Sequence, residues 1–239
     1  MSAADATGPV PDRAAELALA LSRLEHRLTA ACATAGRDRA EVLLVAVTKN
    51  RPASDVLLLR DLGLLDMGEN RDQEARHKAA EVTGVRWHFV GAVQTNKARS
   101  VASYADVVHS VDRPQLVAAL SAGADRAQRR LEVLIQVSLD GDPARGGALP
   151  VDVPSLAAAT ATAPGLRLAG VMAVAPMGAE PAAAFAELAR VRAELVEEHP
   201  DATAMSAGMS GDLEQAVAHG ATHVRVGTAL LGARPPVSR

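Results

Sequence analysis

The 239-residue sequence is poor in cysteine and in aromatic residues. Cys32 is its single cysteine, which excludes an internal disulfide and a paired-cysteine metal site and fits a reducing compartment. Aromatic residues make up 2% of the chain and apolar residues 49%, so a core must be built mainly from alanine, valine and leucine. Because Cys32 follows the apolar spacing of a predicted helix, we expect it to pack in that core and not to be a reactive thiol.

The sequence also lacks a strong net charge and any long apolar run. A formal charge of −3 gives no basic footprint for nucleic acid. No stretch of 18 consecutive apolar residues is present, and residues 1–12 have no basic region followed by an apolar stretch. We therefore expect a cytoplasmic protein that binds neither nucleic acid nor membranes.

After a first predicted helix at 12–35, short apolar runs alternate with helix-like stretches. The predicted strands are 42–47, 64–67, 86–90, 106–110, 131–137, 168–174, 203–206 and 223–226. The predicted helices between and after them are 53–62, 71–81, 97–103, 113–129, 153–162, 181–198 and 212–219. Continuous apolar runs are typical of strands covered on both faces, and their alternation with helices implies parallel crossovers. Eight repeats predict an α/β fold, a (β/α)8 TIM-type barrel with an extra N-terminal helix, as one domain over residues 1–239; an open doubly wound sheet is the alternative.

Polar residues follow the predicted strands. They lie at 48–49, 68–70, 91–96, 206–210 and 227–228. In such barrels the active site lies at the carboxyl ends of the strands, and phosphate is commonly held by the loops after strands seven and eight. We therefore expect a functional site at this end of the barrel.

Lys49 ends the first predicted strand, so its ammonium should lie partly desolvated at the barrel mouth. Desolvation favours the neutral amine, which is the form that attacks an aldehyde. The other interpretation is a surface lysine at the start of a loop. Position alone leaves both open.

The segments after strands seven and eight are suited to an anion. Ser210 is a natural N-cap for the helix predicted there, where backbone N–H groups and the helix dipole attract negative charge. Capping by the Ser210 hydroxyl without any ligand is the alternative. Gly227 allows the backbone to approach a ligand closely, and Thr228 adds a hydroxyl and another N–H. Together the two segments predict a phosphate cradle.

Two charged or titratable residues lie inside apolar strands. Arg225 needs an acceptor, because an unpaired buried guanidinium is costly. A salt bridge with Glu69 or another carboxylate is one solution, and a ligand nitrogen or carboxylate is the other. His88, between Trp87 and Phe89, is more often a satisfied core histidine than a base.

Ordered motifs carry a resemblance over about residues 40–233. They are Ala46–Lys49, Gly68–Asn70, Trp87–Gly91 with Gln94–Lys97, Gly170–Met172, Ser206–Asp212 and Val224–Thr228. In order and spacing they resemble the pyridoxal 5′-phosphate (PLP) homeostasis family. The resemblance implies a barrel similar to the N-terminal domain of alanine racemase. It also implies roles for six residues: Lys49 forms the Schiff base, Ser210, Gly227 and Thr228 hold the phosphate, Arg225 faces the pyridine nitrogen, and Asn70 lies close to the cofactor.

Members of that family are regarded as PLP carriers or reservoirs in vitamin B6 and amino-acid balance, without an established reaction. The resemblance therefore implies a monomer that is not an enzyme, with PLP and apo-PLP enzymes as its partners. A PLP-dependent amino-acid racemase is the rival. Racemases resembling this barrel add a second domain with an acid/base tyrosine, and Tyr104 is poorly placed to replace it. A phosphosugar lyase, with Lys49 attacking its substrate, is the third hypothesis.

Three departures from the family pattern concern PLP transfer more than PLP binding. Ala207 stands where methionine is usual, and Asn50-Arg51 replaces the commoner Thr-Lys after the Schiff-base lysine. Arg145 stands where lysine is frequent.

Overall fold

A computed structural model describes residues 12–232, in which eight parallel strands close into a barrel. The strands are β1 (Leu43–Val47), β2 (Asp66–Glu69), β3 (Arg86–Phe89), β4 (Val107–Val111), β5 (Leu131–Gln136), β6 (Leu166–Met172), β7 (Ala204–Ser206) and β8 (His223–Val226). Because β1 pairs with both β2 and β8, the sheet has no open edge. The predicted barrel is confirmed, and the open-sheet alternative is wrong. Residues 1–11 and 233–239 of the predicted domain lie outside the described residues.

Helices surround the strands. They are α1 (Arg13–Thr34), α2 (Ala53–Asp61), α3 (Asp72–Glu81), α4 (Ala98–Tyr104), α5 (Pro114–Ala127), α6 (Val153–Ala161), α7 (Pro181–Glu198), α8 (Leu213–Ala218) and α9 (Thr228–Leu231). The extra N-terminal helix is confirmed as α1, which begins where the Asp12 carboxylate accepts a hydrogen bond from the N–H of Ala14. Cys32 is buried on α1, as expected. Between residues 12 and 232, no helix is both long and apolar enough to span a bilayer.

Two separate cores follow from the alternation of side chains along each strand. The large core lies between the strands and the helices and is built mostly from alanine, valine and leucine. A small apolar cluster occupies part of the barrel interior, and its buried members are Val107, Leu134, Ala169 and Met172. Another part of the interior holds polar side chains. There His109 on β4 contacts Ser206 on β7, two strands that are not neighbours in the sheet.

Two strands start two residues away from their predicted positions. β2 begins two residues later, at Asp66, and β6 begins two residues earlier, at Leu166. Asp66 lies inside the predicted strand and begins the observed one, where its carboxylate faces the barrel interior and bonds to His88. A polar residue inside a barrel strand does not end it when another strand supplies its partner.

Candidate functional site

The structure brings the predicted site residues to the carboxyl ends of the strands. Lys49 lies two residues after β1, and Asn70 directly follows β2. Ser210 is in the loop between β7 and α8, while Gly227 follows β8 and Thr228 begins α9. Thr228 is exposed, and Lys49, Asn70, Ser210 and Gly227 are partly buried. The sixth predicted residue, Arg225, is buried inside the barrel on β8.

The backbone on both sides of Lys49 is held by α3. Lys78 Nζ donates to the carbonyl of Thr48 at 2.8 Å, and Glu74 Oε1 accepts from the N–H of Asn50 at 2.6 Å. Asn50 has a φ of +60°, which asparagine tolerates better than most residues. These contacts fix the direction in which the chain leaves β1, and with it the point from which the Lys49 side chain starts.

A buried ion-pair cluster lies behind that turn, between β1, β2 and α3. Lys78 Nζ is 2.6 Å from Glu69 Oε1 and 2.7 Å from Glu74 Oε1, and Thr48 Oγ1 also donates to Glu69 Oε1 at 2.6 Å. Burial raises the pKa of Glu69, although Lys78 and Thr48 act in the opposite direction. Glu69 Oε2 has no hydrogen-bond partner among the described residues. Since Lys78 is buried and donates to three acceptors, its amine is less suited than that of Lys49 to attack an aldehyde.

The two predicted phosphate segments touch each other. Ser210 Oγ accepts a hydrogen bond at 3.3 Å from the N–H of Ala229, the residue directly after Thr228. The Ser210 carbonyl accepts from Arg27 on α1 at 2.7 Å, which anchors the loop from behind. The prediction that Ser210 caps the helix after β7 is wrong, because α8 begins at Leu213 with Asp212 as its flanking residue. The α9 turn was not predicted at all.

Two glycines shape these segments. Gly208 has a φ of +89°, and an added Cβ would lie 2.6 Å from that of Ala216. Gly227 has no such conformation, but a Cβ there would lie 3.2 Å from the carbonyl oxygen of Val47. Gly227 therefore allows the end of β8 to lie close to β1, a contact that the sequence interpretation did not consider. Asp212 directs Oδ1 at its own loop, where it accepts from the N–H of Met209 at 2.6 Å.

Arg225 bonds to neutral acceptors. Nη1 donates to Ser206 Oγ at 2.6 Å and Nη2 to the carbonyl of Ala173 at 3.0 Å. The alternative of a salt bridge with Glu69 is wrong, because that carboxylate pairs with Lys78, and no other described carboxylate is within salt-bridge distance of Arg225. Burial lowers the pKa of Arg225 to about 10, while the charge of Asp212 acts in the opposite direction. The guanidinium therefore remains charged at neutral pH.

His88 is a satisfied core histidine, as predicted. Its Nε2 lies 2.8 Å from Asp66 Oδ1 and its Nδ1 lies 2.9 Å from His109 Nε2. Sequence reasoning missed His109 and Ser206, whose contact at 2.9 Å joins strands far apart in sequence. A signal was present, since His88 and His109 both lie in short apolar runs whose other polar residues fall at the ends.

Arg145 joins two strand ends at the mouth. It bonds to Asp140 at 2.5 Å and to the carbonyls of Val174 and Ala175 at 3.0 and 2.9 Å. A cavity of about 210 Å³ lies beside it, with Gln136 and Ser138 in its wall. The segment after β5 is thereby tied to the end of β6.

Tyr104 lies on α4, outside the strand barrel. Its hydroxyl donates to Asp72 Oδ1 at 3.4 Å. Burial, reinforced by Asp72, raises the pKa of Tyr104 well above its usual range. This tyrosine is not part of the mouth, in agreement with its sequence position before β4.

Comparison with known proteins identifies the family. The model of the alanine racemase N-terminal domain matches residues 19–235. The pyridoxal phosphate homeostasis protein of Mycobacterium leprae is 43% identical over 92% of this chain and 94% of its own length. The chain belongs to the pyridoxal phosphate homeostasis protein family. The resemblance found in the sequence motifs is thus confirmed.

Solved structures agree with this family. PipY of Synechococcus elongatus, solved with PLP bound, has a TM-score of 0.77 and 33% identity, covering 90% of this chain and 100% of its own. Alanine racemase from Streptomyces coelicolor has a TM-score of 0.72 and 20% identity over 91% of this chain and 58% of its own, a likeness that shows the fold. The curated relatives are named as pyridoxal phosphate homeostasis proteins and not as enzymes, so the racemase alternative gains no better support.

Proposed function

We propose that this chain binds PLP at the barrel mouth and acts as a PLP carrier or reservoir in vitamin B6 and amino-acid homeostasis. The observation that carries the proposal is the meeting of Lys49, the Ser210–Ala229 contact and buried Arg225 at one end of the barrel. The chemistry of this donor set fits PLP, which supplies an aldehyde, a phosphate and a pyridine nitrogen. The PLP-bound PipY structure gives independent support.

Lys49 supplies the amine for the aldehyde. Its backbone is positioned by the contacts of Lys78 with Thr48 and of Glu74 with Asn50. Asn70 borders the same opening, at the end of the neighbouring strand. An added Cβ at Gly91 would lie 2.3 Å from the Asn70 carbonyl oxygen, so the end of β3 packs directly on this residue. We assign Asn70 a position beside the bound cofactor.

Ser210, Gly227 and Thr228 hold the phosphate. Their hydroxyls and backbone N–H groups are donors to an anion, and donors to a charged acceptor bind more strongly than neutral pairs. The loop carrying Ser210 is anchored by Arg27, and Gly227 brings the end of β8 against β1. The cradle is therefore supported from outside the mouth.

Arg225 faces the pyridine nitrogen. A guanidinium with a pKa of about 10 stays charged at neutral pH and keeps its protons. It donates to the ring nitrogen and leaves that nitrogen without a proton of its own. An unprotonated ring accepts electrons poorly, which favours a carrier over a racemase.

A racemase needs a second proton donor on the substrate face opposite the lysine. Tyr104 does not provide it, because its hydroxyl bonds to Asp72 in the helical layer. We therefore propose that the chain catalyses no reaction of its own. We further propose a monomeric, single-domain, cytoplasmic protein whose partners are PLP and recipient apo-PLP enzymes; the single cysteine and the modest charge of −3 support the compartment and the absence of nucleic-acid binding.

The test is to mix purified protein with PLP and record the absorption spectrum. A Schiff base on lysine absorbs near ~420 nm, and borohydride should trap PLP on Lys49 in peptide mass spectrometry. Lys49→Ala should abolish the band, while Lys97→Ala, with an exposed side chain, should keep it. Trapping mainly on Lys78 or Lys97 would contradict the assignment, and absence of any chromophore would favour the phosphosugar lyase.

A further inference from the structure

A continuous chain of hydrogen bonds crosses the barrel interior below the mouth. It contains Arg225 on β8, Ser206 on β7, His109 on β4, His88 on β3 and Asp66 on β2. The successive distances are 2.6, 2.9, 2.9 and 2.8 Å. Four of these side chains are buried, and Asp66 lies at the amino-terminal end of its strand. These hydrogen bonds thus connect Arg225, near the mouth, to the opposite end of the barrel.

When both histidines are neutral, the two ends of this series of hydrogen bonds fix the direction of every bond in it. A guanidinium only donates, and a carboxylate only accepts. Asp66 therefore receives the Nε2 proton of His88, and neutral His88 accepts at Nδ1 from His109 Nε2–H. Neutral His109 then accepts at Nδ1 from the hydroxyl of Ser206, whose oxygen accepts from Arg225. Reversing the two histidines would leave His88 Nε2 and the carboxylate of Asp66 facing each other as acceptors.

We propose that Ser206, His109 and His88 are positioning residues that, with Asp66 as the terminal acceptor, hold the guanidinium of Arg225 in place at the ring end of bound PLP. The role towards PLP rests on the proposed function, whereas the order of the hydrogen bonds does not. Each histidine fixes the tautomer of the next, so the orientation of the Ser206 hydroxyl is set from the far end of the barrel. Hydrogen-bonded chains in a low-dielectric interior reinforce one another.

The order of the bonds requires both histidines to be neutral, and the surroundings of His109 favour its neutral form. Burial lowers the pKa of His109 well below 6.5, and the charges of Arg225 and Arg86 act in the same direction. His223 on β8 packs 6.1 Å from the His109 ring and 6.3 Å from the His88 ring. Burial lowers its own pKa to about 4, and its Nδ1 contacts Thr222 Oγ1. Asp212 favours the charged form of Arg225 through space.

Packing alone does not account for this arrangement. The other side of the interior is filled by Val107, Leu134, Ala169 and Met172, so apolar residues suit the same barrel. Buried polar residues are costly unless every donor and acceptor is paired. A metal site is not the explanation either, since the described residues contain no group of three or more ligand side chains arranged for an ion. What the polar side of the interior does is surround and orient Arg225.

The first experiment measures the tautomers directly in ¹⁵N-histidine-labelled protein by long-range ¹H–¹⁵N NMR at neutral pH. His88 and His109 should both be neutral with the proton on Nε2, and exposed His77 provides the reference signal. An Nδ1–H tautomer at either position, or a charged His109, would overturn the order of bonds. Because this experiment needs neither a variant nor PLP, it tests the order of the hydrogen bonds independently of the proposed function.

The second experiment tests the effect on PLP. Ser206→Ala removes the acceptor of Arg225 and should weaken PLP binding about tenfold or more, as expected for a hydrogen bond to a charged group. It should also shift the absorption maximum of bound PLP and the ¹⁵Nη signals of Arg225. Ser206→Thr keeps the hydroxyl and should restore all three quantities. The matched control is Ser121→Ala. Ser121 is a buried serine that donates to the Pro164 carbonyl and takes no part in the hydrogen bonds from Arg225 to Asp66.

The outcomes separate the two ideas. If wild-type protein does not bind PLP, the proposed function fails, while the tautomers still decide the order of bonds. If wild type binds PLP and folded Ser206→Ala binds it with the same affinity and spectrum, the positioning role is refuted and the proposed function stands. If Ser206→Ala does not fold, His109→Gln takes its place, and unchanged Arg225 signals in it would refute the role.

Discussion

Lys78 donates a hydrogen bond to the carbonyl of Thr48, the residue directly before Lys49, while its ammonium also pairs with Glu69. One buried lysine thus supports the backbone of the proposed PLP lysine and neutralises a buried carboxylate. These two acceptors lie at the ends of neighbouring strands β1 and β2, and Glu74 on α3 is the third acceptor of Lys78. Removing it should affect stability and PLP binding together.

Lys78→Met should lower the free energy of unfolding by about 3–5 kcal/mol, which is the usual cost of removing one partner of a buried ion pair and leaving the other charge unpaired. Lys78→Met combined with Glu69→Gln should recover much of that loss, because the fully buried carboxylate is then gone and Glu74, which also loses Lys78, is partly exposed. Urea denaturation of both variants measures the difference. Equal stabilities would show that the Lys78–Glu69 pair is not coupled in the folded protein.

The proposed phosphate cradle gives the second prediction. Ser210→Ala and Thr228→Val should each weaken PLP binding by about 1–3 kcal/mol, through loss of a hydrogen bond to a charged phosphate. Pyridoxal, which lacks the phosphate, should bind equally to wild type and to both variants. Thr162→Val, at the C-cap of α6, removes an exposed hydroxyl that bonds to the carbonyl of Ala158 and serves as the control. Normal PLP retention in both cradle variants would place the phosphate elsewhere.

The barrel was predictable because the information for it is local. Most strands lie in short apolar runs, and a helix follows each of them within the next stretch of chain. The positions of Lys49 and Thr228 at the mouth were predictable for a related reason, since residues that follow a barrel strand lie at that end.

The supporting contacts were not predictable from local pattern. His109 and Ser206 are 97 residues apart in sequence, and their contact exists because the sheet closes. Lys78 lies in a helix rich in charged residues, which gives no local sign that its side chain is buried against Glu69. For Arg225, the sequence left open a protein carboxylate and a ligand group as partners. The barrel instead supplied a hydroxyl and a carbonyl from strands that converge around it.

The third prediction concerns acid stability. Burial lowers the pKa of His223 from 6.5 to about 4, so below 6.5 the folded chain binds fewer protons than the unfolded chain. Its contribution to stability is therefore present above pH 6.5 and is lost as the pH falls towards 4. By the relation between pKa and free energy, this loss is on the order of 2–3 kcal/mol.

His223→Gln cannot titrate in this range, so its unfolding free energy should fall less than that of wild type between pH 6.5 and 4. Urea denaturation across this range gives the comparison. The raised pKa of Glu69 acts in the opposite direction on acidification, and it is common to both proteins. His26→Gln, an exposed change on α1, should retain the wild-type slope. Identical slopes for wild type and His223→Gln would contradict the assigned shift.

The final prediction is that protein fully loaded with PLP has negligible turnover of L-alanine or L-serine. Racemisation by a two-base route needs a proton donor opposite the lysine, and Tyr104 is bonded to Asp72 outside the barrel. Loss of the α-proton also needs the ring to accept charge, which a charged Arg225 at the ring nitrogen disfavours. Exchange of the lysine amine for an amino-acid amine requires neither group and should still occur, with a change in absorption.

A steady-state assay of the loaded protein separates these cases by following D-isomer formation and α-proton exchange in deuterated water. The expected result is spectral change with amino acid but no D-isomer and negligible exchange. Arg225→Glu supplies an informative comparison, because a carboxylate favours a protonated ring nitrogen. It should raise α-proton exchange above the wild-type level while D-isomer formation stays negligible for lack of the second donor. Wild-type turnover approaching the usual enzyme range of about 1–10³ s⁻¹ would overturn the carrier proposal in favour of an enzyme.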